Sequence, residues 1–187
     1  MDTLTNKEIF HYINHNIQEF HARRFDGIHK LKLTNVIKKK NPYLFKAKNI
    51  IDAHDLVKSI LDAYISSQEE TIFGAFLEGL AIYVCSRVYS GRKSAAEGID
   101  LEFEKDGIIH IVSVKSGPNW GNSDQLWKMK DNFTKAKRIL KSNSSIINIV
   151  AVNGCCYGRT KKPDRGEYLK LCGQNFWEFI SGNDNLY

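Results

Sequence analysis

The sequence predicts a mixed α/β domain, with a helix, two antiparallel strands, a second helix and a third strand following a helical N-terminal extension. Apolar residues recur at three- and four-residue spacing early in the chain, as in Ile9, Ile13, Ile17 and Phe20, which is the period of an amphipathic helix. The period falls to two at residues 99–103 and again at 108–114, the pattern of half-buried strands. SIINIVAVNGCC, residues 145–156, is a continuous apolar run of the kind found in strands covered on both faces. At 187 residues the chain suits one domain with one sizeable core. Within it, residues 1–66 read as a basic helical extension and 67–187 as the core.

Each element follows from its local pattern. Residues 5–24 form the first helix. HKLKLTNVIKKKNPYLFKAKNI then places seven lysines between Lys30 and Lys48, with Tyr43 and Phe45 interleaved. Asn41-Pro42 interrupts any continuous helix there, because the residue before proline avoids the α region. DAHDLVKSILDAYIS, residues 52–66, returns to helical period. A separate long helix is expected from Ser67, which forms a capping-box pattern with Glu70, to its end at Gly91. Lys105-Asp106-Gly107 supplies the tight turn of a hairpin. Residues 124–141 are helical, with Leu126, Met129, Phe133, Ala136 and Ile139 on one face, and Asn122 with Gln125 forms its capping box. The run 145–156 then lies parallel to the second strand, as a strand–helix–strand crossover requires. A basic turn, GRTKKPDRGE, leads to a last helical piece around CGQNFWEFISG.

The 27 Lys and Arg outnumber the 21 Asp and Glu, an excess of +6 that suits a polyanionic partner without requiring one. The N-terminus lacks the basic start and apolar stretch of a signal peptide, and no apolar run approaches the ~20 residues of a spanning helix, so a cytoplasmic protein free of membrane is expected. Four cysteines without a CxxC pair read as reduced, packed thiols and not as a zinc site. His11 and His15 lie four apart but lack the HExxH glutamate, and read as a surface pair.

Alternation in the hairpin sets Ile99, Leu101 and Phe103 on one face and Asp100 and Glu102 on the other. On the second strand Val112 and Val114 oppose Ser113 and Lys115. Asp100 and Lys115 both lie at the open end of the hairpin, where they can be neighbours. An aspartate can ligate Mg²⁺, and a nearby lysine can stabilise a phosphate or help position an attacking water, as phosphodiester hydrolysis requires. The plain alternative is a cross-strand ion pair worth at most ~1 kcal/mol.

The order of a Glu-bearing helix, a strand with Asp and a strand ending in x-x-Lys resembles the PD-(D/E)xK nuclease superfamily. More narrowly, EETIFGAFLEGLA, AAEGIDLEFEKDG, VSVKSGPNWGNSDQ, AVNGCCYG, CGQNFWEFISGNDNLY and NPYLFKAKNI look like the PmeII-type family of type II restriction endonucleases. The resemblance implies a restriction-endonuclease-like fold and Mg²⁺-dependent, sequence-specific cleavage of double-stranded DNA. It also implies a cognate methyltransferase acting on the same site in a bacterial or archaeal cell. It places Asp100 as a metal ligand and Lys115 at the motif lysine. Ser113 departs from the pattern, standing where an acid is expected. Glu78, Glu102 and Asp124 are the candidates for the second acid, with Glu78 favoured as a carboxylate inside the apolar run FGAFLEGLAIYV. The metal site is then Asp100, Glu78 and the Val114 carbonyl.

Candidate DNA contacts are Lys38, Lys39 and Lys40; Asn119, Trp120, Asn122, Ser123 and Gln125 of the segment after Lys115; and Arg159, Lys161, Lys162 and Arg165. For Asn122 and Gln125, helix capping is a sufficient reading by itself, and charge runs are also commonly solvated faces. A palindromic site would favour a homodimer. The family pattern continues past ISGNDNLY, so a C-terminal helical region is expected beyond Tyr187. Two rival readings stand beside the restriction enzyme: a DNA-binding module of the same fold without cleavage, and a repair or junction nuclease.

Overall fold

The computed structural model describes residues 4–38, 40–143 and 148–187. Its elements, in order, are α1 (Asn6–His29), α2 (Leu33–Ile37), α3 (Pro42–Ala47), α4 (Ala53–Tyr89), β1 (Leu101–Lys105), β2 (Ile108–Lys115), α5 (Ser123–Asn143), β3 (Ile149–Cys155), β4 (Leu169–Cys172) and α6 (Gln174–Ser181). They divide into two compact units, Met1–Ile13 with Leu77–Tyr187, and Asn14–Phe76. The sequence pattern suggests instead one domain with an extension ending at residue 66.

The unit Asn14–Phe76 is helical. Phe20 of α1 meets Phe73 of α4 edge-on at 5.8 Å, and Arg24 pairs with Glu69. Asn41 does break the chain here: its side chain accepts the Tyr43 N–H at 3.0 Å and Pro42 starts α3. The expected boundary at Ser67 is absent. No Gly or Pro lies between Ala53 and Phe73, so extending one helix costs less than nucleating a second, and α4 runs on for 37 residues. Ser67 contributes its carbonyl to the Thr71 hydroxyl instead of capping. α4 is also long and apolar enough by composition to cross a membrane, contrary to the expectation that no run would be. Its residues Leu80, Ala81, Val84 and Cys85 are buried in the protein core.

The other unit is built on a four-stranded sheet of order β1-β2-β3-β4, with β1 antiparallel to β2 and the rest parallel. Asp106 and Gly107, at φ 54° and 73°, make the two-residue turn between β1 and β2, the geometry whose twist matches paired strands. On one face, Leu101, Phe103, Val112, Val114 and Val152 pack with Leu80, Ala81, Val84 and Cys85 of α4 and Phe176, Trp177 and Ile180 of α6. On the other, Ile111 and Ala151 pack with Met129, Phe133 and Ala136 of α5. The capping box of α5 forms reciprocally, Asn122 N–H to Gln125 Oε1 at 2.9 Å and Gln125 N–H to Asn122 Oδ1 at 3.0 Å.

Four expectations are corrected here. Ile99 does not share the face of Leu101: it precedes β1, in a turn where its N–H bonds the Ala96 carbonyl, and it packs on the α5 side. Ile139 is exposed and Leu140 takes its place, because the stripe 126, 129, 133, 136, 140 follows the helical period and 139 falls off it. At the end of α4, Ser90 rather than Gly91 adopts the left-handed conformation, at φ 54°. Finally, β4 is an additional strand; its four residues carry no alternating pattern long enough to see, and only pairing with β3 defines it. Of the run 145–156, residues 145–147 lie outside the described residues and β3 occupies Ile149–Cys155.

Gly154 of β3 has no room for a side chain, since a Cβ there would lie 2.2 Å from the ring of fully buried Phe176. Gly154→Ala is therefore expected to lower stability by about 1–3 kcal/mol, read as a reduced urea midpoint. An unchanged midpoint would show that the ring moves freely.

Candidate active site

The site forms where β1 stops short of β2. The pairing ends at Leu101 opposite Val112, with the Asp100 N–H bonding the Val112 carbonyl. Beyond that point the edge of β2 has no strand beside it, so Val114 needs other partners for its N–H and C=O. The Asp100 carboxylate takes the N–H, with Oδ2 at 2.7 Å, and the Lys115 ammonium donates to the carbonyl at 2.9 Å. The two side chains are themselves 3.6 Å apart, and the Ser113 hydroxyl reaches Asp100 Oδ2 at 3.4 Å. Asp100, Ser113, Val114 and Lys115 are thus brought together.

Both charges are withdrawn from water, with the Asp100 side chain 20% exposed and that of Lys115 29%. Burial pushes the Asp100 carboxyl above its ordinary range. The nearby Lys115 charge and the Val114 N–H work in the opposite direction, while the Glu78 carboxylate adds to the rise. Of the three candidate second acids, Glu78 is therefore the one whose charge acts on Asp100. It is half-buried and pairs with Lys93 at 3.1 Å. Glu102 is instead engaged by Arg92 at 2.7 Å and by the Ser94 hydroxyl at 2.9 Å, and Asp124 is exposed on α5.

Trp120 is half-buried, with Lys115 Nζ 5.1 Å from its ring centre, so it holds the lysine from one side by a cation–π contact. Asn119, Asn122, Gln125, Arg159, Lys161, Lys162 and Arg165 are exposed in the segments that follow β2 and β3. Lys38 and Lys40 are exposed in the unit Asn14–Phe76, where Lys40 lines a cleft with Lys30 and Lys32. Lys39 lies outside the described residues. All four cysteines are free and buried.

Two residues on the same sheet face went unnoticed in the sequence. Ser113 is in register with Asn153 of β3, and Asn153 with Lys170 of β4. Asn153 is fully buried, and its Nδ2 has no hydrogen-bond partner among the described residues. An asparagine inside the apolar run AVNGCC is the signal that could have pointed to it, because a buried amide needs partners or a task.

The oxygen donors here, two carboxylates and a backbone carbonyl, have the hardness that Mg²⁺ selects. Among the described residues no three His, Cys, Asp or Glu side chains gather as a metal cage. Mg²⁺ commonly takes one or two carboxylates and keeps several waters, so the donor set fits it. Val114 can serve as well as bond Lys115, because a carbonyl oxygen has two lone pairs.

A family model described as type II restriction endonuclease EcoO109I matches residues 7–187. It supports the type II restriction endonuclease assignment, but not the PmeII type in particular. The helices and mixed sheet are consistent with the restriction-endonuclease-like fold that the resemblance implied. No curated protein matches the chain.

Because the Asp100 carboxyl is raised, folding favours its protonated form, and its ionisation withdraws stability as pH climbs from about 4 through the raised value. Asp100→Asn keeps an acceptor for the Val114 N–H and removes that charge. In EDTA it is expected to raise the urea midpoint at pH 7 and to lose the advantage below about pH 4. A variant less stable than wild type at pH 7 would contradict the burial argument.

Proposed function

The chain belongs to the type II restriction endonuclease EcoO109I family, and on that premise we propose that it hydrolyses phosphodiester bonds of double-stranded DNA at specific sequences, in a Mg²⁺-dependent reaction at Asp100 and Lys115. The observation that carries the reading is the convergence of the Asp100 carboxylate and Lys115 ammonium on Val114, the one at its N–H and the other at its carbonyl. An ordinary cross-strand ion pair would lie along a continuous ladder; this pair replaces the ladder at its end, half-buried, with a further acid close enough to act on it.

Asp100, Glu78 and the Val114 carbonyl are the residues that would hold the metal, whose chemistry is to polarise the phosphate and lower the pKa of a bound water. Lys115 supplies positive charge for the negative charge that builds on the phosphate oxygens as the water oxygen bonds to phosphorus and the P–O bond to the leaving sugar breaks. Its contact with the Val114 carbonyl and with the Trp120 ring fixes the ammonium before DNA arrives, so little reorganisation is needed during reaction. Ser113 takes no ligand role in this scheme; its hydroxyl orients Asp100.

Arg159, Lys161 and Lys162, with Asn119, Trp120, Asn122 and Gln125, are the proposed contacts to DNA, the basic ones to backbone phosphates. Lys38, Lys39 and Lys40 are proposed as further phosphate contacts. A palindromic site would be served by a homodimer with two active sites, protected in a bacterial or archaeal cytoplasm by a methyltransferase that modifies the same sequence.

Purified protein incubated with unmethylated DNA is expected to give discrete fragments with Mg²⁺ and none with EDTA. Asp100→Ala, Lys115→Ala and Glu78→Gln should each slow cleavage by at least about 100-fold. Intact DNA in every lane, from folded protein that still retards DNA on a gel, would make the chain a binding module instead.

A further inference from the structure

We propose that Lys170 is a positioning residue for Lys115, acting through the segment that follows β2; the inference extends the nuclease reading above. Lys170 lies on β4, two strands from β2, yet register puts it on the face that carries Ser113 and Lys115: Ser113 opposite Asn153, and Asn153 opposite Lys170. The side chain is half-buried, and its ammonium donates to the Pro118 carbonyl at 2.7 Å. A lysine is costly to withdraw from water, and its partner here is a backbone carbonyl rather than a carboxylate. What that bond secures is the short stretch from Lys115 to Trp120.

The same stretch is held from the other side by residues after β3. The Tyr157 N–H bonds the Ser116 carbonyl at 3.1 Å, and the Tyr157 ring lies over Gly117, where a Cβ would meet it at 2.3 Å. Pro118 fits against Gly158, which has φ +88° and where a Cβ would come within 2.7 Å of the proline ring. A backbone hydrogen bond thus holds Ser116, ring packing holds Gly117 and one flank of Pro118, and the Lys170 ammonium holds the Pro118 carbonyl. Trp120 follows two residues later, with its ring centre 5.1 Å from Lys115 Nζ. Lys170 therefore anchors the segment that carries the Trp120 ring, whose other support is packing against the α5-side apolar cluster, and the ring confines the Lys115 ammonium.

The test reads the position of Lys115 directly and apart from activity. In protein labelled with ¹³C at the lysine ε carbons, the Lys115 signal, identified by its loss in Lys115→Arg, is expected to be shifted by the Trp120 ring current. Lys170→Met keeps the apolar stem and removes the donor; it should collapse that shift, as Trp120→Leu does, while Lys170→Arg preserves it. Cleavage should follow, with kcat lowered about 10- to 100-fold and KM nearly unchanged in Lys170→Met, and recovery in Lys170→Arg. The Lys170→Met and Trp120→Leu effects should be non-additive in the double variant. A folded Lys170→Met protein whose Lys115 signal keeps its full ring-current shift, with undiminished kcat, would overturn the proposal. A Lys115 signal that depends on Lys170 in a protein that cuts no DNA would uphold the positioning role and overturn the nuclease reading.

Discussion

The end of the β1–β2 ladder is the constraint on which the site depends. A strand edge that loses its neighbour exposes an N–H and a C=O, and within a partly buried sheet those groups must be met by something other than water. Here an aspartate meets the first and a lysine the second, on one residue, Val114. Satisfying the backbone and assembling the charges are thus a single event. The Asp106-Gly107 turn sets the register of the hairpin, and the register decides that the strand runs out beside Val114 and nowhere else.

The arrangement has an energetic cost. Burial drives the Asp100 carboxyl toward its protonated form and Glu78 adds a like charge, so the folded protein carries negative charge that it would be more stable without. Lys115 offsets part of it, at 3.6 Å. Uncompensated negative charge among oxygen donors is the condition a divalent cation relieves, so the feature that weakens the fold is the one on which the proposed metal role rests. The fully buried Asn153 amide, on the same face and with an N–H group unpartnered among the described residues, belongs to the same trade of stability for a polar sheet end.

Strand alternation also explains why the polar groups collect at one end. Ile109, Ile111, Ile149 and Ala151 line the lower part of the α5-facing sheet surface and are covered in its apolar cluster. Further along the same strands, Ser113, Lys115, Asn153 and Lys170 occupy the same face. One face is a core at one end and a site at the other.

By itself the sequence determined the parts that short-range physics controls. It gave notice of the hairpin turn at Asp106-Gly107, the capping box of α5, the break at Asn41-Pro42, and the shared face of Asp100 and Lys115, since each is fixed by backbone sterics, local hydrogen bonds or the two-residue strand period. The tertiary structure decided what depends on distant residues. β4 exists as a strand because β3 offers it a partner, and α4 continues through Ser67 although a local cap was available. Glu78 adds its charge to the field at Asp100, a carboxylate twenty-two positions away. Trp120 and Lys170 become neighbours of the site only through packing and register. Burial, strand partnership and the field of one charge at another are sums over residues far apart in the chain, and no local pattern carries them.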